Sequence, residues 1–137
     1  MQNTSAAPIV VIEDHPEHLD YLATLLRRAG YAVAPFSAAS AAVQFLQHRR
    51  ASVVITDVFM PEMDGFEVLS EVRRRFPALP IIAVSGDGPG QGPMFLDAMR
   101  HLGACAALTK PIDAAALLAA IAQCLAQPSK GPPDGTV

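Results

Sequence analysis

Four aliphatic runs that each end on a reactive side chain constrain this chain more than any other feature: IVVIED at 9–14, VVITD at 53–57, IIAVS at 81–85 and ALTKP at 107–111. Such runs are short and rich in β-branched residues, and they predict strands buried on both faces, as in a parallel sheet. Segments with helical spacing fill the intervals between residues 8 and 126. Strict alternation of the two kinds predicts an α/β fold, a parallel sheet flanked by helices on both faces. Ligands of open α/β sheets bind beyond the carboxyl ends of the strands. The residues that close the runs, Glu13, Asp14, Asp57, Ser85 and Lys110, are therefore expected to converge there.

Pro8 to Glu13 reads as the first strand, and Pro16 to Ala29 as a helix with Leu19, Leu22, Leu25 and Leu26 on one stripe, stopped by Gly30. Tyr31 to Phe36 predicts a second strand. Ser37 is the expected N-cap of a helix that turns Ala42, Val43 and Leu46 inward. Ser52 to Thr56 is the third strand. The loop DVFMPEMDG then bends the chain at its proline and at Asp64-Gly65, ahead of a helix from Phe66 to Phe76. After a fourth strand, Leu79 to Val84, six of the eight residues 86–93 are glycine or proline, which predicts an irregular loop before a helix from Met94 to Gly103. Cys105 to Thr109 completes the strands. Asp113 should cap a last helix with Leu117, Leu118, Ile121 and Leu125 inward.

A length of 137 residues suits one domain. The expected division is a flexible N-terminus over 1–7, the domain over 8–126 and a disordered tail over 127–137. With 51% hydrophobic and 17% charged residues, a disordered polypeptide is excluded as the main reading. The net charge of −3 gives no general attraction to nucleic acid, and the arginines cluster near predicted helix ends, where cations complement the macrodipole. Ala114 to Ala126 is too short to cross a bilayer. The expectation is a cytoplasmic protein without a nucleic-acid or membrane partner. Cys105 and Cys124 have no metal-binding or redox-motif spacing and read as buried small hydrophobes. His15 reads as a solvated loop residue, and His18, His48 and His101 as exposed helix residues.

Three carboxylates brought to one spot repel each other unless a cation shares the site. All-oxygen ligands with room for water and phosphate suit Mg²⁺, with Mn²⁺ as a substitute. Asp57 stands alone at the end of the central strand and is the candidate nucleophile, becoming an aspartyl phosphate. In phosphoryl transfer the protein places the donor in line and neutralises oxygen charge. Lys110 supplies a compact positive charge to Asp57 and later to a phosphoryl oxygen, and Ser85 a hydrogen bond to another.

The acidic pair Glu13-Asp14, the stretch from Asp57 to Gly65, the hydroxyl of Ser85 and the Lys110-Pro111 pair together resemble the receiver domains of two-component response regulators, over residues 8 to 126. The resemblance implies a flavodoxin-like, doubly wound (βα)5 fold with strand order 2-1-3-4-5 and five helices. It implies phosphorylation of Asp57 by a histidine kinase or phosphotransfer protein, and signalling to a downstream protein rather than turnover as an enzyme. It further implies Mg²⁺ held by Asp14, Asp57 and the backbone carbonyl of Phe59, with Glu13 acting through water, and a cis bond between Lys110 and Pro111.

Two departures from the family stand out. An aromatic residue usually sits three positions before the lysine, and here that position is Ala107. The loop GDGPGQGP is also unusually glycine-rich, and its ordering, with Ser85 at its root, is the expected substitute for the aromatic relay. Phe59 would shield the phosphoryl group from water, whereas Asp87 would orient or repel a water. The leading expectation is a stand-alone receiver in a phosphorelay. Its competitors are a receiver-like module that binds partners unphosphorylated and, more remotely, an aspartyl-phosphate phosphatase, whose general-acid position is occupied here by Phe59.

Overall fold

Each aliphatic run becomes a strand, and each amphipathic interval a helix. The computed structural model describes residues 7–58, 65–86 and 93–126. The element order is β1 (Ile9–Ile12), α1 (Pro16–Arg28), β2 (Val33–Phe36), α2 (Ala39–His48), β3 (Val53–Asp57), α3 (Gly65–Arg75), β4 (Ile81–Ser85), α4 (Pro93–His101), β5 (Ala106–Thr109) and α5 (Ala114–Ala126). The strands pair in parallel in the order β2-β1-β3-β4-β5, as the resemblance implies. The expected tail, most of the expected flexible N-terminus, Phe59, Asp87 and most of the two loops that carry them lie outside the described residues.

Successive residues of a strand face opposite sides of the sheet, so a strand buried throughout feeds two cores. Val10, Ile12, Val54, Ile81 and Ala83 pack with residues of α2, α3 and α4, while Ile9, Val11, Val53, Ile55, Ile82 and Val84 pack with residues of α1 and α5. No residue of β1 is more than 1% exposed, and each such side chain contributes about 1.5–3 kcal/mol of burial. Helix ends are set locally. At the end of α1, Gly30 takes φ +100°, its N–H donates to the Arg27 carbonyl, and the Tyr31 N–H donates to the Leu26 carbonyl. Glycine tolerates that φ without steric cost, and the two bonds satisfy carbonyls that the helix end would leave unpaired. Gly103 closes α4 in the same way, with Ala104 donating to Met99.

Three local expectations are corrected. The residue at the N-cap of α2 is Ala38, without a side-chain cap bond, so Ser37 falls one position too early. In α5 the inner stripe is Leu117, Ala120, Ile121 and Cys124, whereas Leu125 is 40% exposed. In α2, Phe45 rather than Val43 packs against the core. The cysteines are also not free: Cys105 and Cys124 form a disulfide, with Cα atoms 6.1 Å apart. The fold brings the start of β5 against the last turns of α5, within the range a disulfide spans. Among the described residues no helix is long and apolar enough to cross a membrane.

Candidate functional site

The carboxyl edge of the sheet gathers the predicted side chains because each lies at the end of a strand or within two residues beyond it. Asp57 ends β3 and Ser85 ends β4; Glu13 follows β1 and Lys110 follows β5. Backbone bonds continue the sheet into this edge. The N–H of Glu13 donates to the Phe36 carbonyl, that of Val58 to Val84, and that of Lys110 to Ser85 at 2.7 Å. The side chains thus start from a nearly rigid platform.

Glu13 is 1% exposed and Asp57 7%, a burial that isolated carboxylates do not tolerate without a partner. Lys110 is that partner. Its Nζ lies 2.9 Å from Glu13 Oε1 and 3.1 Å from Asp57 Oδ2. Burial opposes the ammonium charge, but the hydrogen bonds from Lys110 to Glu13 and Asp57, reinforced by their negative charges, outweigh it and raise the Lys110 pKa above its ordinary value. The second Glu13 oxygen accepts the backbone N–H of His15 at 3.0 Å. Lys110 Nζ also sits 3.3 Å from His18 Nδ1, and the His15 and His18 rings lie 5.1 Å apart.

Asp14 joins the pair. Carboxylate oxygens of Glu13, Asp14 and Asp57 all lie within 4.8 Å of one another. Three carboxylates against one ammonium leave two formal negative charges, the charge a single divalent cation neutralises. An oxygen-only set with buried and half-buried members fits Mg²⁺ better than a thiolate- or imidazole-seeking metal. The Phe59 carbonyl lies outside the described residues.

Ser85 is fully buried at the same edge, and its hydroxyl donates to the Gly86 carbonyl at 3.0 Å. Ala107 is buried on the α4 side of the sheet, in the cluster that contains Met99 and Ala104, and pairs in register with Ala83. The Lys110–Pro111 peptide bond is cis. His18 is the residue that sequence reasoning missed. The available signal was its spacing: His15 and His18 flank the first turn of α1 directly after the acidic pair, and Pro16 at the first helical position fixes where that turn begins.

The sequence matches the family model for the response regulator receiver domain over residues 9–122. It is 35% identical to FleR, a response regulator of Pseudomonas aeruginosa, over 86% of this chain and 24% of that protein. The chain spans only about a quarter to a third of the first curated relatives it matches. An uncharacterized 14.6 kDa protein of Leptolyngbya boryana differs in this respect, being 33% identical over 93% of this chain and 98% of its own length. Among solved structures, a response regulator receiver domain protein from Clostridium thermocellum superposes with a TM-score of 0.79 at 29% identity, covering 87% of this chain and 94% of the other.

Proposed function

The chain belongs to the response regulator receiver domain family of two-component systems, and from that premise we propose that Asp57 is its phosphoacceptor, loaded by a histidine kinase or phosphotransfer protein in a Mg²⁺-dependent reaction. The observation that carries this reading is the Lys110 ammonium held between buried Glu13 and Asp57, with Asp14 beside them. The Asp57 carboxylate attacks phosphorus, one Asp57 oxygen becomes the bridging oxygen of an acyl phosphate, and the donor leaves with the electrons of the broken bond. Lys110 shifts its charge from the carboxylate to a phosphoryl oxygen, and the Ser85 hydroxyl turns from Gly86 to another. Glu13, Asp14 and Asp57 would hold the Mg²⁺, whose contribution is to neutralise phosphoryl oxygen charge.

As a signalling phosphoacceptor the protein promotes only its own loading and unloading. The reading includes a stand-alone role in the cytoplasm that passes the signal to a partner protein; of these, the match over 98% of the 14.6 kDa relative supports the stand-alone part alone. One observation favours a second reading, a module that binds its partner unphosphorylated. Ala107 is buried where an aromatic would otherwise link site to surface. Intact mass after incubation with Mg²⁺ and a small acyl-phosphate donor separates the two. A gain of about 80 Da on wild type and none on Asp57→Asn supports phosphoacceptance; no gain on either protein favours the module.

A further inference from the structure

We propose that Glu13, His15 and His18 form a second, chemically distinct metal site, one for a borderline divalent ion such as Zn²⁺, that shares Glu13 with the acidic cluster. One ligand atom from each residue lies within 4.8 Å of the other two. Two imidazole nitrogens and one carboxylate oxygen are a donor set that Zn²⁺ accepts and Mg²⁺ does not prefer. Donors on a tetrahedral Zn²⁺ with bonds near 2.0–2.1 Å sit about 3.3 Å apart. His15 and His18 are exposed, so rotation of their side chains closes the remaining gap without disturbing the core.

Two further observations point to a cation here. The Glu13 carboxylate is oriented by the backbone N–H of His15 on Oε2, the kind of outer hydrogen bond that fixes a ligating carboxylate. The second is the place of Lys110. An ammonium has no acceptor, so His18 Nδ1, 3.3 Å from Nζ, presents its lone pair to it. The same ammonium lies 2.9 Å from Glu13 Oε1. A positive charge thus already occupies the point between Glu13 and His18, and a metal would take its place. Glu13, His18 and Lys110 line a common recess of about 220 Å³, which leaves room for an ion beside these three groups. Zinc and the paired form of Lys110 are therefore mutually exclusive at Glu13. On the proposed function, on which this consequence alone rests, zinc slows phosphoacceptance by taking Glu13 from the acidic cluster that would hold Mg²⁺.

Titration of the untagged full chain with Zn²⁺ in competition with a chromophoric chelator tests the site without reference to phosphorylation. Wild type and Asp57→Asn should each bind one equivalent. His15→Ala/His18→Ala should bind at least about 100-fold more weakly, since even outer-shell changes cost metal sites about 10–100-fold. His48→Ala/His101→Ala should match wild type. Lys110→Met should bind at least about tenfold more tightly, because a like charge near the ion is removed. The proposal is overturned if wild type binds no zinc, if the His15/His18 variant keeps its affinity, if the His48/His101 variant loses as much, or if Lys110→Met gains none. Zinc binding by Asp57→Asn remains informative if Asp57 accepts no phosphoryl group, so the two readings fail separately.

Discussion

Replacing Lys110 by methionine keeps most of the side-chain volume and removes the charge shared by two buried carboxylates. Breaking a fully buried ion pair from one side costs about 3–5 kcal/mol, and an exposed pair is worth about 0–1. The Lys110 side chain is 18% exposed while Glu13 and Asp57 are 2% and 8% exposed at the side chain, which places the loss near 2–3 kcal/mol without divalent ions. For a domain of this size that is roughly 6–10 °C in Tm. The cost should depend on Asp57: in an Asp57→Asn background only Glu13 is left unpaired, and the loss should fall by about half. A double-mutant cycle by urea unfolding, at low ionic strength with EDTA, should therefore give a coupling of about 1 kcal/mol or more. Saturating Mg²⁺ should narrow the gap between wild type and Lys110→Met, because a cation that binds only the native state restores the missing charge. The pH dependence has a definite sign. Lys110 has a raised pKa in the folded protein, so its stabilisation is fully present below the ordinary value of 10.5 and is lost as pH rises through the folded value. The stability gap should stay level from roughly pH 7 to 10 and close only above that range. Coupling below about 0.5 kcal/mol, the ordinary error of additivity, would refute the view that one ammonium holds the two acids together.

Reduction of the Cys105–Cys124 bond, which closes a segment with a sequence separation of 19, should lower stability by about 3 kcal/mol through the freed entropy of the unfolded chain. Alkylation of the denatured, unreduced protein should add no mass if the bond is formed, and two additions there would contradict it. Ala107→Phe inserts a ring into the packed cluster around Met99 and Ala104. It should cost about 1–3 kcal/mol by overpacking, measured by thermal unfolding, while leaving the mass gain on Asp57 intact. A stabilised variant would show that the α4 face has room for an aromatic.

How much was legible follows from the range over which each feature is determined. The strands were readable because Ile9–Ile12, Val53–Asp57 and Ile81–Ser85 are buried throughout and so carry an unbroken apolar signal. Glu13, Asp57, Ser85 and Lys110 were readable because the end of a parallel strand fixes where its last side chain emerges. Helix phase was less secure. At about 100° per residue, Leu125 lies about 80° around α5 from Leu117 and Cys124 only about 20°, so the cysteine takes the buried position and the leucine the rim. The N-cap of α2 slipped by one residue because a favourable serine was present beside the position the chain uses.

Contacts made only by the fold left no local trace. Cys105 and Cys124 have no motif spacing, and they meet because α5 returns across the edge strand to the point where β5 begins. His18 and Lys110 are 92 residues apart in the chain. Their approach depends on β1, β3, β4 and β5 lying in the order that sets the end of β5 opposite the first turn of α1. That order also explains why one lysine serves so many groups. Lys110 leaves an edge strand and reaches inward across the sheet end, so its ammonium meets Asp57, Glu13 and His18 together. A cation arriving at the acids shares them with this ammonium, whereas one held by Glu13 and His18 would take its place. On the proposed zinc site, electrostatic repulsion from Lys110 would therefore oppose the ion held by Glu13 and His18.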